Sequence, residues 1–243
     1  MKKTYFYVVL TYAIMQLSTF VFAPLLMWIF TSFHFTIDEA YKYATTTWIV
    51  SSFSIALIII LYLLRKEIQM EWKNRSSLPF AKYIGWGIIG LFMAFFSQTI
   101  AVYIMDLIGL PLISENTENI IEMVNMSMLI ILAPSIIGPI LEEIVFRKVL
   151  FGAFVERFGF WIPSLFSSII FALVHVDFTH ILVYTFMGLV FCFLYHKTKS
   201  IITPIIAHML MNSIVIIMQL NIDKILELEE KLNTLQHIIG GLL

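Results

Sequence analysis

Seven stretches of this chain are apolar and long enough to cross a lipid bilayer or come close to it: 5–30, 47–64, 83–108, 126–154, 160–175, 181–196 and 201–220. A spanning helix needs about 20 mainly apolar residues. In lipid every backbone N–H and C=O must find its partner inside the protein, which leaves helices and closed barrels. The runs are continuous and show no apolar–polar alternation, so helices are expected. Only 13% of the 243 residues are charged and 60% are hydrophobic. A soluble domain carries about 25% charged residues, and so few charges cannot build a water-facing surface. The expected fold is all-α: a polytopic membrane helix bundle of about seven transmembrane helices.

Lys2 and Lys3 precede the first run, as in a secretory signal. That run is far longer than the roughly 7–15 residues of a signal h-region and ends in no small-x-small site, so it reads as a retained helix. The loops alternate in charge. Lys2 and Lys3, then Arg65, Lys66, Lys73, Arg75 and Lys82, then Arg157, then Lys197 and Lys199 fall on one side. The other side has Asp38, Glu39 and Lys42, then Glu115, Glu118 and Glu122, then Asp177 and His180. Basic loops stay in the cytoplasm, so a multi-pass cell-membrane protein with a cytoplasmic N-terminus is expected. Lys plus Arg (15) balances Asp plus Glu (16), which gives no basic face for nucleic acid. The lone Cys192 excludes an intrachain disulfide and reads as an inert buried residue.

The chain is expected to divide into a three-helix N-terminal region (1–125), a four-helix core (126–220) and a tail (221–243). In the tail Ile222, Ile225, Leu226, Leu232, Leu235, Ile238 and Ile239 recur at helical spacing. This pattern predicts an amphipathic helix on the membrane surface, ended by Gly240 and Gly241. Packing against a loop or a second copy is the alternative, so a homo-oligomer is among the partners considered, beside membrane lipid.

Ionisable residues inside spans are costly and mark functional sites. The fourth run holds Glu142, Glu143, Arg147 and Lys148, the fifth ends in Phe171 and His175, and the seventh holds His208 and Asn212. The first three runs hold only neutral polar residues such as Gln16 and Gln98. Glu143 and Arg147 are four apart and can pair, as an ion pair that is also consistent with a purely structural role. His208 and Asn212 share a face for the same reason, and Phe171 lies one turn from His175. Lys148 is expected to snorkel, and His180 and His196 to sit at the interface. At 1.5 Å per residue, Glu142, His175 and His208 lie roughly 20, 24 and 13 Å from the basic-side turns. Tilted helices would bring them together, with water reaching them through a cavity open to the cytoplasm.

The ordered set EExxxR (Glu142, Glu143, Arg147), FxxxH (Phe171, His175) and HxxxN (His208, Asn212) resembles the CPBP family. That family comprises CAAX prenyl endopeptidases and bacteriocin-processing or self-immunity (Abi) membrane peptidases. The likeness covers about Ser135 to Ser213. It implies a glutamate-dependent intramembrane endopeptidase. Glu142 and His175 would activate water, His208 and Asn212 would hold the oxyanion, and Glu143, Arg147 and Phe171 would support them. The substrate would be a small or membrane-anchored peptide or protein. No metal or cofactor is expected. The alternative is a zinc enzyme with Glu142, His175 and His208 as ligands. Two other classes compete: a non-catalytic scaffold or immunity protein, and a proton-coupled transporter, against which the absence of an internal repeat counts.

Overall fold

The computed structural model describes residues 2–73 and 79–240. Among them there is no strand. The helices are α1 (Lys3–Ser32), α2 (Ile37–Lys73), α3 (Phe80–Leu107), α4 (Glu115–Met126), a composite α5 (Met128–Phe158), α6 (Trp161–Leu173), α7 (Ile181–Thr198), α8 (Ile202–Leu220) and α9 (Ile222–Gly240). Six are long and apolar enough to span a membrane, and α6 is a shorter apolar helix. The protein is thus a multi-pass membrane helix bundle.

Two elements differ from the apolar pattern because caps, not hydropathy, set helix ends. α2 begins ten residues before its apolar run, where Thr36 and Glu39 form a capping box: Glu39 N–H donates to Thr36 Oγ1 at 3.3 Å, and Thr36 N–H to Glu39 Oε2 at 3.0 Å. The acidic segment after α3, read from sequence as a plain loop, is the amphipathic helix α4. Ser114 Oγ accepts the Thr117 N–H at 3.2 Å, and Glu115 and Glu118 sit in the first turn, where the helix dipole favours them.

α5 lies at the centre, touching α1, α2, α6, α7 and α8, while α3 packs along α7 and α8. α6 and α7 meet closely at Gly188, where an added Cβ would stand 2.7 Å from Ser168 Cβ, the small-residue contact favoured between helices in lipid. The two ends of the bundle are chemically distinct. Lys2 pairs with Glu67 at 3.1 Å, and Lys197 lies 6.0 Å from the Trp86 ring centroid, so the basic ends of α1, α2, α3 and α7 share one end. α4 and the 174–180 loop form the other. In α9, Ile222 and Leu226 are exposed. The side chains from Leu232 to Ile239, and Gly241, lie outside the described residues.

Candidate active site

α5 is not a regular helix. It opens with a 3-10 turn (Met128–Ile131), widens to π geometry at Ala133–Ile137, returns to α at Gly138–Glu142 and widens again at Glu143–Phe151. Prolines explain the first break. Gly138 N–H bonds the Ala133 carbonyl, five residues back. The Pro134 carbonyl thereby loses its α partner, and its π partner would be Pro139, which has no N–H. Asn212 Nδ2 on α8 donates to that carbonyl at 2.9 Å. In the second wide stretch Ser167 Oγ on α6 donates to the Phe146 carbonyl at 2.6 Å. Broken backbone in a membrane protein persists where side chains satisfy it in this way, and π segments concentrate at functional sites.

The motif residues gather along this stretch. His208 stands between the two glutamates: Nδ1 is 2.9 Å from Glu143 Oε1, and Nε2 is 3.7 Å from Glu142 Oε2. Glu143 also pairs with Arg147, Oε2 to Nε 3.2 Å, both side chains being wholly buried. The guanidinium makes no aligned hydrogen bond among the described residues. It lies instead against rings, 4.2 Å from the Phe171 centroid and 5.2 Å from that of Phe191, where ring quadrupoles attract a cation. Phe191 stacks on His208 at 4.7 Å.

His175 is held differently. Its Nδ1 lies 2.7 Å from the Phe171 carbonyl, Phe171 meets its ring edge-on at 4.7 Å, and Tyr184 stacks on it at 4.1 Å. A carbonyl can only accept, so Nδ1 carries the proton and Nε2 keeps its lone pair. Glu142, His208 and Arg147 all act on His175 electrostatically.

Glu142, His175, His208 and Asn212 line one cavity of about 760 Å³. Tyr12, Gln16, Gln98, Asn116 and Tyr184 line it too. Gln16 and Gln98 were visible as polar residues in otherwise apolar runs. Tyr12 was hidden among aromatics, although Gln16 Nε2 donates to its hydroxyl at 3.2 Å.

The loop after His175 is clamped. Val176 has φ of 55°, a left-handed conformation that is costly for a β-branched residue. Asp177 holds the turn: Oδ1 accepts from Thr179 Oγ1 at 2.9 Å and from the His180 N–H at 3.3 Å. Its Oδ2 accepts from Ser114 Oγ at 2.7 Å, tying the loop to the start of α4. Burial alone would push the Asp177 carboxyl up, but hydrogen bonds from Ser114 and Thr179 and the nearby His180 outweigh it and hold it below its ordinary value.

One expectation needs correction. Lys148 does not snorkel: it is 4% exposed, in a stretch of α5 where every residue from Glu143 to Val149 is buried. His180 sits at a helix end as expected and is buried there, with Nδ1 3.1 Å from Asp177 Oδ1 and Nε2 3.2 Å from the Leu112 carbonyl. The cavity lies toward the end opposite the basic loops. Its walls include residues 112–117 and 174–180, from that end. Cys192 is buried as expected. As for zinc, no three His, Cys, Asp or Glu side chains converge as a metal site among the described residues. His208 directs Nδ1 to Glu143 and leaves Nε2 toward Glu142 and the cavity.

Residues 124–214, which carry all three motifs, match the family described as type II CAAX prenyl endopeptidase Rce1-like. The chain belongs to this CAAX-protease family of membrane peptidases. It is 42% identical over 243 residues to a Bacillus subtilis (strain 168) protein named as the membrane peptidase YdiL, covering 100% of this chain and 99% of the relative. It is 36% identical over 185 residues to the membrane-embedded CAAX protease MroQ of Staphylococcus aureus (strain USA300), covering 70% of this chain and 75% of that protein. No solved structure matches it.

Proposed function

We propose that this protein is a glutamate-dependent intramembrane endopeptidase that hydrolyses a peptide bond in a small or membrane-anchored peptide or protein. The observation that carries the reading is the pairing of His208 Nε2 with Glu142 Oε2, 3.7 Å apart on a cavity wall, while His208 Nδ1 is held by Glu143. Glu142 has a 15% exposed side chain whereas Glu143 has none, so Glu142 is the carboxylate that can meet water.

In this mechanism Glu142 takes a proton from a water molecule, with the bare Nε2 of His175 as a second acceptor. The water oxygen attacks the peptide carbonyl carbon. The oxyanion that forms is met by His208 and Asn212. To donate from Nε2 as well as Nδ1, His208 must carry both protons, and a carboxylate faces each nitrogen. Asn212 has two N–H groups. One holds Pro134, and the other is available to substrate. The tetrahedral intermediate collapses as the proton on Glu142 passes to the leaving amine. Positioned acids and bases and preorganised donors supply much of the acceleration in such reactions. No step requires a metal.

The N-terminus is cytoplasmic in this reading, supported by the gathering of Lys2, Arg65, Lys66, Lys82, Arg157 and Lys197 at one end of the bundle. The experiment is a peptide comparison between cells carrying the wild-type chain and cells carrying Glu142→Gln. Peptides that accumulate only in the variant are the expected substrates. Identical peptide pools would argue for a scaffold role.

A further inference from the structure

We infer that the cavity opens on the extracytoplasmic side of the membrane and that the scissile peptide is presented there, at the outer leaflet. Two independent observations meet. The first is the segregation of charge. The basic helix ends are brought together at one end of the bundle by the Lys2–Glu67 pair and the Lys197–Trp86 contact. At the other end, 109–127 and 174–180 contain no Lys or Arg at all. Lys42 at the start of α2 stands beside Asp38 and Glu39, and Lys224 and Lys231 in α9 stand among Asp223, Glu227, Glu229 and Glu230. Basic loops are retained in the cytoplasm, so this end, poor in net positive charge, is outside.

The second is where the cavity lies. On α3 it is lined by Phe95, Gln98, Thr99 and Val102, from the half that leads to the end opposite the basic loops, and none comes from the half beginning at Phe80. Leu112 and Ser114 continue the wall, followed by α4. α4 is a roof. It turns Asn116, Ile120 and Met123 toward the cavity and leaves Glu115, Glu118 and Glu122 exposed. Leu112, Ile113, Met128 and Leu129, which flank it, are also exposed. A helix with one acidic, water-facing side and apolar flanks suits the membrane surface. His208 marks the floor, only six residues from the start of α8 at the basic end, or roughly 9 Å at 1.5 Å per residue. A peptide therefore reaches Glu142 by passing under α4, not through the basic end.

The substrate class this implies is a peptide that has already crossed the membrane or is anchored in its outer leaflet, with apolar residues to lie against Ile120, Met123 and Val102. The substrate half of the inference rests on the peptidase reading. The sidedness half does not.

Cysteine labelling in intact cells tests the sidedness. The one native thiol, Cys192, is buried and gives little background. Glu118→Cys on the roof, Val102→Cys in the cavity wall and Lys82→Cys at the basic end are each treated with a membrane-impermeant maleimide. Glu118→Cys and Val102→Cys should react in intact cells, and Lys82→Cys only after permeabilisation. The reverse pattern, or Val102→Cys reacting only after permeabilisation, overturns the inference while leaving the peptidase reading untouched. The same cells are then given acylated, quenched-fluorescent peptides inserted in the outer leaflet. Cleavage by wild-type cells and not by Glu142→Gln cells is expected. Cleavage only when the same peptides are expressed in the cytoplasm overturns the substrate side. Outward labelling with no Glu142-dependent cleavage from either side removes the peptidase reading instead, and the substrate half with it.

Discussion

His208 and Glu143 are joined edge to edge, Nδ1 to Oε1 at 2.9 Å, with both side chains buried. That contact fixes which nitrogen of His208 faces the cavity. Glu143 is in turn balanced by Arg147 at 3.2 Å. Positioning thus runs from Arg147 through Glu143 to His208, and only then to Glu142.

Arg147→Ala should therefore cost stability first and activity second. Removing one partner of a buried pair costs on the order of 3–5 kcal/mol. The double change Glu143→Gln with Arg147→Met should regain part of that loss in thermal unfolding in detergent, since no unpaired charge is left. An unfolding temperature no higher than that of Arg147→Ala alone would mean that the pair does not carry the fold.

Asn212→Ala should have two separable effects. It orphans the Pro134 carbonyl, which costs roughly 1–3 kcal/mol for a buried unsatisfied group, and it removes an oxyanion donor, worth about 3–4 kcal/mol in the barrier. kcat should fall far more than KM changes. A proportionate loss in both kinetic constants would assign Asn212 to substrate binding.

The three motifs were legible because their residues recur at fixed spacing on helices that have no other reason to hold charge. Glu143 with Arg147, and His208 with Asn212, are such pairs. What Asn212 bonds was not legible, since the orphaned Pro134 carbonyl exists only because the backbone widens between two prolines. α4 escaped because it is too polar for a hydropathy reading, although Ser114 followed by Thr117 and Glu118 carries an N-cap signal. Lys148 was misread because a basic residue near a helix end usually reaches water, and the burial of 143–149 by neighbouring helices is not a property of their own sequence. Distances along the chain set Glu142 and His208 at different depths, whereas the structure brings their side chains to 3.7 Å. Those distances did not say from which end the cavity walls come, because Leu112, Ser114 and His180 join the lining only through the fold.

Asp177 gives a pH signature. Its folded carboxyl is held below the ordinary value, so its contribution is full above the unfolded range near about 3.9. The contribution fades as pH falls from there through the lower folded value. Asp177→Asn should lower the unfolding temperature at neutral pH, and the gap to wild type should close toward acid. A gap that stays constant down to the acid limit would detach Asp177 from this role.

Metal dependence separates the proposed chemistry from its zinc rival. Exhaustive chelation should leave turnover intact, and elemental analysis should find far less than one zinc per chain. Stoichiometric zinc, with activity lost to chelator and restored by zinc alone, would reassign Glu142, His175 and His208 as ligands and Glu143 as the base.

The most direct test is turnover by purified Glu142→Gln. The substitution keeps the shape of the side chain and removes its ability to take a proton. A positioned general base contributes roughly 10²–10⁴-fold, so a loss of at least that size is expected, with the unfolding temperature unchanged within a few degrees. Wild-type turnover by a folded Glu142→Gln protein would contradict the assignment of Glu142 as the water-activating group.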